Sequence, residues 1–180
     1  IGMAYSSAIA VDSNGDVYIG GSYVNDLTLG SLNAYWEPHG NYEATGYWDL
    51  FVAKVNDSSS SVYWEWVARA GKRQSEGVND IDIGPNGDVF IVGKYWAGFG
   101  NSNAYDKKLY FFNSDRTDTG TPGSGELSIG GDGYGGFVAA LNSTGIWLWV
   151  NADEDGTNAD CEGISGVDVH STGAVYVTGT

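Results

Sequence analysis

Short apolar stretches, some alternating with polar residues and some continuous, run the length of the chain and are broken by glycine-centred turns. The pattern predicts a strand at 8–11, a hairpin turn at Asn14-Gly15, where Asn-Gly tolerates positive φ, and a second strand at 17–23. After a long loop, the mostly apolar run at 50–55 predicts a third strand, suited to burial on both faces. A fourth is expected at 62–68. Strand alternation there puts Trp64 and Trp66 on one face and Tyr63, Glu65 and Val67 on the other. No stretch sustains a helical period.

The pattern recurs. Ala8-Ile-Ala-Val-Asp-Ser-Asn-Gly-Asp-Val-Tyr-Ile-Gly20 matches Asp80-Ile-Asp-Ile-Gly-Pro-Asn-Gly-Asp-Val-Phe-Ile-Val92 and then Gly166-Val-Asp-Val-His-Ser-Thr-Gly-Ala-Val-Tyr-Val-Thr178. The turn glycines Gly15 and Gly87 are 72 residues apart, and Gly87 and Gly173 are 86 apart. A second motif, Phe51-Val-Ala-Lys-Val-Asn56, returns as Phe137-Val-Ala-Ala-Leu-Asn142, again 86 residues on. Each copy is followed by Trp-x-Trp, at Trp64-Glu65-Trp66 and Trp147-Leu148-Trp149. One grown loop explains the unequal spacing, since Tyr23 to Phe51 is 28 residues and Tyr95 to Phe137 is 42. Four strands repeating at this interval predict an all-β, β-propeller-like chain of four-stranded antiparallel blades. Its units are residues 1–75, with a long loop at 31–48, residues 76–155, with an insertion at 101–134, and residues 156–180, the first half of a third repeat. A closed ring takes about four to eight blades. The expectation is therefore an incomplete ring, either part of a longer chain or a protomer completed by identical subunits. Within the insertion, Leu109 to Phe112 suggests an extra strand, and the remainder a flexible loop.

Composition agrees with many short strands and tight turns: 28 glycines and 3 prolines in 180 residues. A net charge of −15, from 8 basic and 23 acidic residues, argues against nucleic acid and anionic lipid as partners. No apolar run approaches the roughly 20 residues of a membrane helix, so no membrane insertion is expected. The opening residues carry no basic and apolar signal-peptide pattern. The single cysteine, Cys161, has no internal partner for a disulfide and reads as a structural or bystander residue.

The ordered set from Ala8 to Gly21, then Asp49-Leu-Phe-Val-Ala-Lys-Val-Asn56, then Trp-x-Trp, resembles the SBBP-type (seven-bladed) β-propeller repeat over residues 4–30, 49–70, 76–100 and 135–180. The resemblance implies a segment of a larger secreted or cell-surface protein of bacteria or archaea that acts in display, binding or scaffolding. It implies no catalytic residues. The sequence departs from the repeat in the long loops 31–48 and 101–134, and at Ala140 where the first unit has Lys54. These departures bear on any shared ligand site and leave the fold untouched.

Asp12, Asn14 and Asp16 present oxygen ligands at alternate positions, as a calcium loop does, but Val17 and Tyr23 stand where an EF-hand needs glycine and glutamate. The other copies lose the ligand set, which favours a hairpin turn, and no other cofactor is expected. Asp153, Glu154 and Asp155, with Asp160 and Glu162, fit a cation site or a solvated loop. Glu76 and Glu162 hold equivalent repeat positions, which suggests a structural role. The loop aromatics Tyr35, Trp36, His39, Tyr42, Tyr47 and Trp48 suit stacking on a glycan, or else packing over a blade edge. Trp96 and Phe99 correspond to them in the second unit and tilt the balance toward packing. Of these, Trp36, Tyr42, Tyr47, Trp48 and Trp96 are the candidate ligand residues. The glycine-rich run 130–136 lacks the lysine and helix of a phosphate loop. Two histidines, His39 and His170, and no His-Glu-x-x-His or Gly-x-Ser-x-Gly motif leave no visible catalytic centre. The expected function is a non-enzymatic, extracellular structural or interaction module. The alternatives are a glycan-binding module and a self-assembling subunit whose partners are identical copies.

Overall fold

The computed structural model describes residues 3–34, 47–58, 61–71, 75–97, 108–114, 127–130, 133–152 and 163–179. The first repeat supplies β1 (Met3–Val11), β2 (Val17–Val24), β3 (Leu27–Leu29), β4 (Leu32–Ala34), β5 (Asp49–Ser58) and β6 (Ser61–Gly71). The second supplies β7 (Gly77–Ile83), β8 (Val89–Ala97), β9 (Lys108–Phe112), β10 (Ser128–Gly130), β11 (Gly133–Leu141) and β12 (Trp147–Ala152). The third begins with β13 (Ile164–Val169) and β14 (Val175–Gly179). The described chain is all-β, its sheets are antiparallel, and none closes into a barrel.

β1-β2-β5-β6 form one four-stranded run and β7-β8-β11-β12 another, each in chain order once the interposed short strands are set aside. Those short strands are the main addition to the expected pattern. β3 and β4 form a small hairpin at the start of the long loop of the first repeat. The extra strand expected at Leu109 to Phe112 exists as β9, but it pairs with β6 of the first repeat, and β10 pairs with β9. The insertion of the second repeat thus extends the sheet of the first to six strands. There Leu109, Phe111 and Phe112 are buried, and Phe111 sets its ring edge against Phe137 and Trp147 of the second sheet.

The sheets pack through their innermost strands, β7 against β1 and β2, and β13 against β7 and β8. One apolar cluster fills the space between the first two sheets and includes Tyr18, Val52, Trp66 and Ala68 with Val78 and Ile81. The opposite face of the first sheet carries a second cluster, Tyr23, Phe51, Ala53 and Val67, against which Leu27, Leu29 and Leu32 of the β3–β4 hairpin pack. Leu50 to Ala53 are all buried, so the third strand is enclosed on both faces as its continuous apolar run predicts.

The repeats agree down to their irregularities. A bulge interrupts the innermost pair at Ser7, at Asn79 and at Ser165, which are equivalent positions. Another falls between Lys54 and Val55, and again between Ala140 and Leu141. That second bulge corrects the expectation for the tryptophans. Lys54 faces Trp66 and Val55 faces Trp64, so Glu65 is the extra residue and the alternation skips a beat. Trp66 consequently joins the cluster between the sheets, whereas Trp64 packs against the cluster on the other face.

The hairpin turns also share one geometry. Gly15 N–H donates to the Asp12 carbonyl (3.1 Å) and Asp12 N–H to the Asp16 carbonyl (3.0 Å). The same two bonds recur from Gly84 to Asp88, Asn142 to Ile146 and His170 to Ala174. Gly15, Gly87, Gly145 and Gly173 take positive φ of 80–90°. Asn14 and Asn86 do not, so the glycine alone carries the strained position.

Candidate functional site

The calcium candidates serve this turn. Asp12 Oδ1 accepts from the N–H groups of Asn14 (2.8 Å) and Asp16 (3.0 Å), and Asp12 Oδ2 accepts from the Tyr18 hydroxyl (3.3 Å). Asn142 Oδ1 does the same work for Thr144 and Ile146, and His170 Nδ1 for Thr172. An acceptor side chain at the first turn position is thus a cap for two backbone donors at Asp12 and Asn142 and for one at His170. Asp16 points elsewhere, to Lys54 Nζ at 2.9 Å. Among the described residues no group of three or more His, Cys, Asp or Glu is placed to hold a metal ion. The acidic residues 153–155, Asp160 and Glu162 lie outside the described residues, as do Cys161, Tyr35, Trp36, His39, Tyr42 and Phe99.

Two of the remaining candidates engage rings. Trp48 meets Tyr5 edge-on at 5.0 Å, and its carbonyl accepts from Glu76 N–H at 2.7 Å, tying the first repeat to the start of the second. Trp96 lies directly across from Tyr134 on the neighbouring strand, and the rings stack at 5.5 Å with an interplanar angle of 11°. Tyr134 is exposed on this pair, Trp96 half-buried. Tyr47 is half-buried just ahead of β5. Glu76 is buried, and its carbonyl accepts from Ser22 Oγ at 3.1 Å.

The seam between successive sheets holds the densest polar chemistry, and most of it was invisible in the sequence. The bulged residue of one repeat donates to a fixed carbonyl of the next. Ser7 Oγ donates to the Val78 carbonyl, and Asn79 Nδ2 to the Ile164 carbonyl (2.8 Å), which is the equivalent position. Two carboxylates then stitch β7 to β13. Asp80 accepts from Ile81 N–H through Oδ1 (2.9 Å) and from Val167 N–H through Oδ2 (2.9 Å). Asp82 accepts from Ile83 N–H (2.8 Å) and from Val169 N–H (2.6 Å). Each carboxylate therefore satisfies outward-facing backbone donors on two innermost strands at once, an ionised acceptor where a sheet edge would otherwise present bare N–H groups. The signal for this was the alternation Asp80-Ile-Asp82-Ile: acids on one face of a strand whose other face is core.

Between the first and second sheets the polar group is different. Lys54, buried to 7% exposure, is held by Asp16 (2.9 Å) and Glu65 (3.0 Å). Burial works against its charge, but the bonds to those two carboxylates outweigh it and hold the ammonium above its ordinary range. Beside it, burial pushes the Tyr18 phenol up to about 12, with Lys54 pulling the other way and Asp12 adding to the rise. Trp66 closes the cluster, donating from Nε1 to the Ser143 carbonyl of the next repeat (2.9 Å). Chemically this is a charged cluster within the first repeat, tied to the next by the Trp66 bond. It holds a fully protonated lysine and a neutral phenol at physiological pH, with neither poised to move a proton.

No protein-family model and no curated protein matches the chain.

Proposed function

We propose that the chain is a non-enzymatic structural and interaction module built of β-propeller-type repeats and displayed outside the cell. The observation that carries the reading is the recurring seam. Polar side chains that a catalytic centre would use instead bond the backbone of the neighbouring repeat: Ser7 and Asn79, at equivalent positions, donate to its carbonyls, and Asp80 and Asp82 accept from its strand N–H groups. Asp80 and Asp82 are the pair most easily taken for an acid and base, yet each one bridges two strand N–H groups. Four-stranded runs, shared bulges and face-to-face packing through innermost strands support the propeller arrangement. The resemblance to SBBP-type repeats supports extracellular display.

The test is Asp82→Ala. Removing a charged acceptor leaves two backbone donors without it, and stability should fall by about 2 kcal/mol in denaturant titration. Amide exchange at Val169 should accelerate in the same variant. Unchanged stability together with unchanged Val169 protection would show that the carboxylate is free for other work, and the structural reading would be lost.

One observation favours glycan binding as a second reading. Tyr134 presents an exposed ring already stacked and braced by Trp96, the rigid aromatic platform that sugar rings favour. Soluble oligosaccharides should then quench tryptophan fluorescence in the chain and fail to do so in Tyr134→Ala. Equal quenching in both, or none in either, counts against it.

A further inference from the structure

The seam has two sides, and the chain carries a spare copy of each. The side that faces the following repeat bears a bulge donor, an acid or small residue, and an aromatic ring: Ser7, Ala10 and Tyr18 in the first repeat, then Asn79, Asp82 and Phe90 in the second. In the third repeat these positions are Ser165, Asp168 and Tyr176. Asp168 is exposed, Tyr176 is 61% exposed, and Ser165 Oγ turns back to its own Thr178 carbonyl at 3.2 Å. Asp168 and Tyr176 border an open depression of about 270 Å³, together with Asp80, Gly166 and Thr178.

The side that faces the preceding repeat bears two β-branched residues and an acceptor carbonyl. In the second repeat they are Ile81, Ile83 and the Val78 carbonyl, in the third Val167, Val169 and the Ile164 carbonyl. Their equivalents in the first repeat are Ile9, Val11 and the Ser6 carbonyl. Ile9 is 67% exposed and Val11 59% exposed, where Ile81 is buried and Ile83 partly buried. Two apolar side chains standing in water on β1 occupy positions that are buried or half-buried at both internal seams.

We infer that the β13–β14 face receives the β1 face of a second copy of this chain, head to tail, by the bulge-donor contact the chain makes at both internal seams and the carboxylate contact it makes at the second. This rests on the repeat-module reading above. Ser165 Oγ swings from Thr178 to the Ser6 carbonyl of the second copy, as Ser7 and Asn79 do at the internal seams. Asp168 accepts from the Val11 N–H of that copy, as Asp82 accepts from Val169. Tyr176 covers its Ile9 and Val11. The interface is heterologous, so each added copy leaves one open face of each kind and association grows until a ring closes. With −15 on each copy, association strengthens with salt, since the Debye length shrinks from about 30 Å at 0.01 M to about 3 Å at 1 M.

The experiment is sedimentation velocity on the chain and two variants over a wide concentration range in high salt. Ile9→Lys with Val11→Lys blocks the β1 face, and Asp168→Lys with Tyr176→Lys blocks the β13–β14 face. All four positions are exposed or at an exposed face, and circular dichroism confirms that the variants fold. The unaltered chain is expected to show a mass that grows with concentration. Each variant alone should remain a monomer, and an equimolar mixture of the two should give a dimer that grows no further. A monomeric unaltered chain at every concentration overturns the inference and leaves the face to some other occupant. So does self-association that survives in either variant, or a mixture that stays monomeric. If the inference fails here while Asp82→Ala behaves as predicted, the module reading stands and only the partner is wrong.

Discussion

Gly93→Ala is expected to be among the most damaging single methyl additions in the molecule, lowering stability by about 3 kcal/mol. A Cβ built on Gly93 would overlap the Gly77 carbonyl oxygen and lie 2.8 Å from the Phe137 ring. The cause is the bulge at Asn79. It draws the end of β7 over β8, so that the carbonyl of one strand sits where the other would carry a side chain. The ring of Phe137, fully buried on the adjoining strand, closes the remaining space. Backbone on one side and a buried aromatic on the other leave nothing flexible to yield. The same geometry surrounds Gly21, between the Tyr5 carbonyl and Phe51, so Gly21→Ala should be comparably severe. Chemical denaturation of both variants checks this, with Gly15→Ala as the contrast. Gly15 has open space around its Cβ direction and suffers only from its φ of 90°, so its cost should be about 1 kcal/mol. Equal losses at Gly93 and Gly15 would mean that conformation, not crowding, keeps glycine at position 93.

These glycines mark where the sequence was legible and where it was not. Repetition of Ala8 to Gly20 at Asp80 and Gly166 revealed the strand pairs, because a period-2 pattern interrupted by glycine turns has few other solutions. The two four-stranded runs followed from counting motifs. The bulges did not, since one extra residue in a strand leaves no mark on composition. Trp64-Glu65-Trp66 looks like plain alternation, and only the pairing of Lys54 with Trp66 and Val55 with Trp64 exposes the skipped residue. The destination of β9 was hidden for a related reason. Leu109 to Phe112 announces a strand, but its pairing with β6 rather than with a strand of its own repeat shows only once both sheets are in place. Beyond their alternation with isoleucine, the seam carboxylates carry no mark of their role in the sequence. Asp80 and Asp82 could be told from surface acids only by asking which strand donors lacked an acceptor, and that needs the neighbouring repeat in place.

Lys54→Ala should cost about 3 kcal/mol, because deleting one member of a buried ion pair strands the groups that faced it. Asp16 and Glu65 would be left side by side, and the void would open under Tyr18 and Trp66, which now contact edge to face at 6.0 Å. The second repeat solves the same position without charge. Phe90, Ala140 and Leu148 stand where Tyr18, Lys54 and Glu65 stand in the first, and Phe90 meets Trp149 at 6.1 Å. Tyr18→Phe, Lys54→Ala and Glu65→Leu together should therefore recover most of what Lys54→Ala loses, with a coupling of about 1 kcal/mol or more in a mutant cycle. A triple variant no better than the sum of its parts would show that the two repeats do not share one packing scheme. Titration gives an independent reading. Tyr18 and Lys54 both have folded-state pKa values raised above their ordinary 10.0 and 10.5. A raised pKa contributes stability that is complete below the unfolded value and is lost as pH climbs through the folded one. The unaltered chain should accordingly lose stability steeply above pH about 10, as the unfolded state sheds protons that the folded state retains. The triple variant, with neither group present, should show a shallower alkaline slope, because its seam has no phenol or ammonium left to titrate.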